Sequence, residues 1–292
     1  MKTDKNTMAT VSFNYTSPDI RSTSSDSIYK GLTTVDKTTT TGGLLYGLGD
    51  NRRALGLLAN VTVDGKISET GYYEMGDKLE LIRKEDAKTA DLIRSKFAIP
   101  QQVISIEESS VLVVDDLGRR WRLPLGNETY KKLTDQGVLR ICREVATERD
   151  LFSCMGTFYE LPAENADGYA KIRPVSTHNY RINDYASYRG MLVLTGVTPE
   201  DGKENPHVVI SDDGKAAVWV GVIDDLWTLG KPVGQGGPWK DTDVKTDVAS
   251  DPYLIAFYDK KELSLSHRSD KNVVITVEVD PTGNGDWMEY AS

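Results

Sequence analysis

Residues 139–196, LRICREVATERDLFSCMGTFYELPAENADGYAKIRPVSTHNYRINDYASYRGMLVLTG, decide how the rest of the chain is read. Apolar runs such as Thr157–Leu161, Tyr185–Tyr188 and Met191–Leu194 are too short for helices. They are separated by turn-forming and charged residues, which predicts strands. The same stretch holds both cysteines, one of the three histidines and six arginines. It is therefore also where a site is expected.

The pattern extends in both directions. Upstream, 103–107, 110–115 and 120–124 form a strand series. Downstream, 170–174 belongs with the central runs, and 207–211, 216–222, 253–258, 263–267 and 273–279 form a third series. Before these, 11–15, 44–46 and Leu55–Val63 read as strands, with Asp64-Gly65 as a hairpin signal. Residues 84–96, with Ala87, Ala90 and Ile93 at helical spacing, predict the one helix of any length, and Pro100 stops it. Short strands about 8–12 residues apart predict an all-β sandwich, barrel or propeller. Groups of about four strands recurring over some 50–60 residues favour a β-propeller with little helix, of about five blades or part of a larger one. The expected domain is a single unit over 1–292, with 1–42 as a weakly ordered, Ser/Thr-rich segment within it. The abrupt end at 286–290 raises the expectation of a truncated propeller.

A net charge of -9 argues against nucleic acid, which needs a basic patch, and against an anionic membrane surface. No stretch approaches the ~20 apolar residues of a transmembrane helix. The first residues have no apolar core and give no secretory signal, so localisation is left open between cytoplasm and a mature or partial exported chain. Cys142 and Cys154, with eleven residues between them, fit neither a disulfide framework nor a zinc site and read as buried thiols.

Three clusters carry the candidate chemistry. Arg143-Glu144 and Glu148-Arg149-Asp150 place arginine forks beside a strand end, suited to a uronate carboxylate or to a structural ion-pair network. Thr177-His178-Asn179-Tyr180-Arg181 gathers hydrogen-bonding groups on one loop, where His178 is either an acid/base or a histidine bonded to its own loop. Residues 227–241, WTLGKPVGQGGPWKD, read as a glycine-rich loop between two tryptophans, with Trp239 as a stacking surface for a sugar ring. It lacks the phosphate-loop spacing. Tyr159, Glu160 and Asp184 are the hydroxyl and carboxylate candidates, and His207 and His267 read as structural.

Three segments, CREVATERDLFSCMGTFYELP, KIRPVSTHNYRINDYASYRGMLVLTG and DDGKAAVWVGVIDDLWTLGKPVGQGGPW, resemble the C-terminal blades of large bacterial β-propeller proteins. That group is mostly uncharacterised and is associated with polysaccharide utilisation. The resemblance covers roughly residues 105–292 and implies a propeller fold and a carbohydrate ligand. The group carries a histidine before Gly-Thr-Phe-Tyr-Glu where this chain has Met155, which puts any chemistry of that histidine in doubt here. His178 matches.

The reading is a carbohydrate-active propeller, a glycoside hydrolase or uronate-directed lyase, acting on an oligosaccharide or polysaccharide in a central funnel. His178, Tyr159 and Glu160 are its candidate catalytic residues, and Arg143, Arg149, Arg173, Asn179, Arg181 and Trp239 its candidate binding residues. The alternative is a non-catalytic carbohydrate-binding or scaffold propeller. No cofactor is expected; calcium is compatible with the many carboxylates, although no ligand spacing demands it.

Overall fold

The computed structural model describes residues 7–16, 28–49, 51–96, 104–126, 128–130, 140–144, 149–163 and 166–292, with 140–144 and 149 described by their backbone. Alternating apolar residues and two-residue turns fold most of this chain into six small antiparallel sheets. Sheet I is a meander of β2 (Thr39–Gly47), β3 (Leu55–Val63), β4 (Lys66–Met75) and β5 (Leu81–Lys84). Asp64 and Gly65, both at positive φ, close its β3–β4 hairpin as the Asp-Gly signal predicts.

Sheet II contains β6 (Ile104–Ile106), β7 (Val111–Val114) and β8 (Arg120–Leu123). Sheet III contains β9 (Arg140–Glu144), β10 (Arg149–Cys154), β11 (Thr157–Leu161) and β12 (Arg173–Thr177), again in meander order. Met155-Gly156 forms the β10–β11 turn, with both residues at positive φ. Sheet IV, in the order β13-β14-β16-β15, consists of β13 (Tyr185–Tyr188), β14 (Met191–Leu194), β15 (Val208–Ile210) and β16 (Ala217–Gly221).

Sheet V joins sequence-distant segments: β1 (Thr7–Thr16) lies between β17 (Gly234–Val244) and β18 (Lys260–His267). Sheet VI is the hairpin of β19 (Val277–Val279) and β20 (Met288–Ala291).

The alternation of each strand sets which sheets meet. Leu45, Leu55, Leu57, Tyr73 and Met75 of sheet I pack with Ala186, Val193, Val218 and Val220 of sheet IV. The other face of sheet IV, through Tyr185, Leu192, Leu194 and Trp219, packs on Leu151, Phe158 and Val175 of sheet III. Phe152, Tyr159 and Leu161, from the opposite face of sheet III, meet Ile104, Val111, Val113 and Leu123 of sheet II. Backbone bonds of Leu125 with Gln235 then tie the end of sheet II to sheet V. On the far side of sheet I, Leu58 and Tyr72 cover Ala90 and Ile93 of helix α1 (Ala87–Lys96). Asp86 caps that helix by accepting the Thr89 amide at 3.0 Å. At the middle of this arrangement β13 runs beside both β2 and β9.

The molecule is thus mostly β with little helix, and the strand pairing on its own establishes no closed or propeller arrangement. Three local readings are corrected. The glycine-rich segment 227–241 does not remain a loop, because residues from Gly234 onward form β17 against β1. Bulges at 9–11 and 11–13 let its glycines approach the β1 backbone. Residues 170–174 are not all strand: Gly168–Lys171 is a 3-10 turn and β12 begins only at Arg173. Residues 253–258 belong to no named strand, although the aromatics there stack sideways on β1, Tyr258 on Tyr15 at 4.1 Å and Tyr253 on Phe13 at 5.2 Å.

Candidate functional site

Residues 178–184 connect β12 to β13 and so pass from sheet III to sheet IV. Residues 33–37 run alongside and hold this connection in place. The Val35 amide donates to Asn179 O at 2.9 Å, and the Arg181 amide donates to Thr33 O at 2.7 Å. Candidate side chains on the connection are therefore fixed on a braced backbone.

His178 is 3% exposed. The Tyr180 amide donates to its Nδ1 at 3.1 Å, so Nδ1 carries no proton and the neutral ring holds its proton on Nε2. The Tyr130 hydroxyl lies against the same turn, 2.8 Å from His178 O and 2.9 Å from Tyr180 O. Nε2 is buried without a hydrogen-bond partner, as is Ser176 Oγ two residues earlier. Burial lowers the His178 pKa from 6.5 to about 3. At neutral pH this imidazole is an uncharged N–H donor with its one acceptor nitrogen already engaged.

Asp184 is fully buried and structural. Its Oδ2 accepts the Leu45 amide from the open edge of β2 at 2.6 Å, and its Oδ1 accepts its neighbour Tyr185's amide at 2.8 Å. The carboxylate thereby pins sheet I to sheet IV. Arg181 is also buried; its Nη1 donates to Lys37 O at 3.4 Å, and desolvation pulls its pKa below the usual arginine range. Asn179 is exposed, and its carbonyl serves the bond to Val35.

Between these residues and sheet I lies a group of polar atoms that the strand pattern does not announce. Gly42 on β2 pairs with Asn60 on β3, and Thr40 pairs with Thr62. A Cβ at Gly42 would fall 2.0 Å from Asn183 Oδ1 and 3.2 Å from Asn60 Oδ1, so both carboxamide oxygens converge where glycine leaves room. Thr40, two residues away, shares that face of β2. Thr40 Oγ1, Asn60 Oδ1 and Asn183 Oδ1 are all buried without a hydrogen-bond partner. An unpaired buried oxygen costs on the order of 1–3 kcal/mol. Asn60 breaks an otherwise apolar run in LGLLANVTV, which is the one sequence signal that could have marked this group. Asn183 and Thr40 carry none.

The remaining candidates lie elsewhere. Tyr159 is buried on the sheet II side of β11, and burial pushes its hydroxyl well above the usual phenol range. Glu160 and Arg173 are cross-strand partners on β11 and β12 and form an ion pair. Trp239 lies half-buried in β17 opposite Val11. It is roughly 20 Å along that strand from Val233, which bonds Thr177 beside His178. The side chains of Cys142, Arg143 and Arg149 lie outside the described residues; the backbone register sets Arg143 opposite Asp150 and Arg149 opposite Glu144. Cys154 is a buried thiol whose pKa is raised by burial, and Met155 occupies its hairpin turn. His207 stacks on Trp219 at 5.4 Å and bonds Val220 O at 2.9 Å, while His267 is exposed on β18.

The structure thus brings His178, Asn179 and Arg181 together and separates them from Tyr159, from the Glu160–Arg173 pair and from Trp239. Among the described residues no group of three or more His, Cys, Asp or Glu side chains is placed to hold a metal ion. No helix among them is long and apolar enough to cross a membrane. Comparison with protein-family models, with curated proteins and with solved structures finds no match in any of the three.

Proposed function

We propose that the protein is a carbohydrate-binding β-propeller module that holds a sugar where β2 and β3 meet residues 181–184. The observation that carries this reading is the convergence of Asn60 Oδ1 and Asn183 Oδ1 at Gly42, with Thr40 Oγ1 on the same face, all buried and unpaired. A sugar offers adjacent hydroxyls that donate to such oxygens when the 181–184 connection opens away from β2 and β3. The propeller is supported by the meanders of sheets I, II and III and by the face-to-face packing of II on III and III on IV, which are consecutive in sequence. Two further features favour it: β1 closes sheet V between strands from the other end of the sequence, and β2, β13 and β9 run side by side at the centre.

Binding is favoured over turnover by the state of the polar groups. His178 is neutral with its acceptor nitrogen engaged, Tyr159 is buried, and Glu160 is paired with Arg173. None of the three is poised for proton transfer at neutral pH. Calorimetric titration with a panel of neutral and acidic oligosaccharides tests the reading, together with assays for new reducing ends and for the ultraviolet absorbance of an unsaturated uronate. Saturable binding, weakened at least tenfold by Asn183→Ala and unaccompanied by product, is expected. Product formation would instead establish a hydrolase or a lyase, according to which signal grows.

A further inference from the structure

Phe257 combines an exposed aromatic side chain with a left-handed backbone. Its ring is 60% exposed, and its backbone stands at φ +66°, a left-handed conformation costly for a bulky residue. Glycine or asparagine would adopt this backbone with less strain. The next residue, Tyr258, is buried and stacked on Tyr15, and its carbonyl accepts Lys261 Nζ at 2.7 Å, so the backbone beside Phe257 is anchored. The effect of the turn is to hold an aromatic ring out in solvent on a fixed support.

The ring does not stand alone. The Arg173 guanidinium lies 6.0 Å from its centroid, and Arg173 is itself paired with Glu160 across the β11–β12 ladder. Arg173 remains partly exposed. An apolar ring face, a planar set of N–H donors and a carboxylate acceptor are thus presented together. That combination matches a pyranose, whose C–H face stacks on an aromatic ring while its hydroxyls donate to a carboxylate and accept from a guanidinium. A single ring of this size is too small for a stable protein interface, which buries on the order of 800 Å² per partner.

We infer that Phe257, Arg173 and Glu160 form a second sugar-binding subsite, separate from the one at Gly42. Arg173 opens β12 and His178, which follows its end, is roughly 16 Å away along that strand; Asn183 lies beyond it on the connection to β13. The inference rests on the carbohydrate reading above but uses different residues, so the two can fail independently.

The test is oligosaccharide titration of the whole chain with Phe257→Leu and Phe257→Trp, run beside Asn183→Ala. Both Phe257 variants keep a side chain on the same strained backbone, so strain cancels between them and only the aromatic face differs. Phe257→Leu is expected to weaken binding about tenfold, Phe257→Trp to retain it, and Arg173→Gln to weaken it as well, with melting temperatures of the two Phe257 variants within a few degrees of each other. Wild-type affinity in Phe257→Leu overturns the second subsite. If Asn183→Ala loses binding in the same series, the proposed function still stands. The opposite pattern, with Asn183→Ala unaffected and Phe257→Leu weakened, overturns the Gly42 site alone, and a wild-type chain that binds none of the panel overturns both.

Discussion

At the scale of single residues, His178 shows how a recognisable side chain acquires its state from its own loop and from one group far off in sequence. Its tautomer is set by the Tyr180 amide, and its burial involves Tyr130, 48 residues upstream. A bond to its own loop was one of the two readings of Thr177-His178-Asn179-Tyr180-Arg181, whereas the Tyr130 contact was not legible there. The consequence is measurable. The folded-state pKa of about 3 lies below the ordinary 6.5, so below pH 6.5 the unfolded chain takes up a proton that the folded chain refuses. His178 has no effect on stability above about pH 7 and removes stability as pH falls toward 3, by up to about 1.4 kcal/mol per pH unit. His178→Asn can supply an acceptor to the Tyr180 amide without titrating. Urea unfolding between pH 4 and 7 is expected to show a shallower loss of stability in this variant than in wild type; equal slopes would contradict the buried neutral imidazole. Asp184 belongs to the same scale. It was legible as a carboxylate of interest, but its task is to satisfy a strand-edge amide. Asp184→Ala is expected to cost on the order of 3 kcal/mol by removing the carboxylate that accepts the Leu45 and Tyr185 amides, read as a fall in the unfolding midpoint.

At the scale of elements, local chemistry predicted most of what local chemistry controls. The Asp64-Gly65 hairpin, the helix ending at Lys96 and the strands Thr157–Leu161, Tyr185–Tyr188 and Met191–Leu194 all follow from turn residues and period. Residues 234–241 were misread because glycine-rich composition signals a loop when the partner strand is unknown. β17 uses its glycines for contact with β1: a Cβ at Gly237 would lie 1.7 Å from Val11 O, backbone that cannot swing aside. Gly237→Ala is therefore expected to force β17 away from β1 and cost about 1–3 kcal/mol. Amide exchange should quicken in β1 and β17 ahead of sheets III and IV. Unchanged protection in β1 would mean that the register of sheet V is different. Residues 253–258 were misread for the opposite reason, since their aromatic content is strand-like while their rings stack against another strand instead of alternating across a ladder.

At the scale of the whole molecule, the order in which the sheets pack could not be read from the chain. Sheet I meets sheet IV although two sheets intervene in sequence, because the apolar faces of β3 and β16 are complementary and Asp184 bridges β2 to β13. The candidate site depends on that packing: Thr40, Asn60 and Asn183 come from three separate stretches, and their significance lies in unpaired oxygens, a property no single stretch reveals. His178, Asn179 and Arg181, singled out from the sequence, lie on the same connection as Asn183, while Thr40 and Asn60 are contributed by sheet I. The measurement that tests this most directly is calorimetric titration of wild type and Asn183→Ala with the oligosaccharide panel, product formation being followed in the same samples. The account predicts saturable wild-type binding, a loss of at least tenfold in the variant and no product. Equal affinity in the two proteins, or turnover by the wild type, would contradict it.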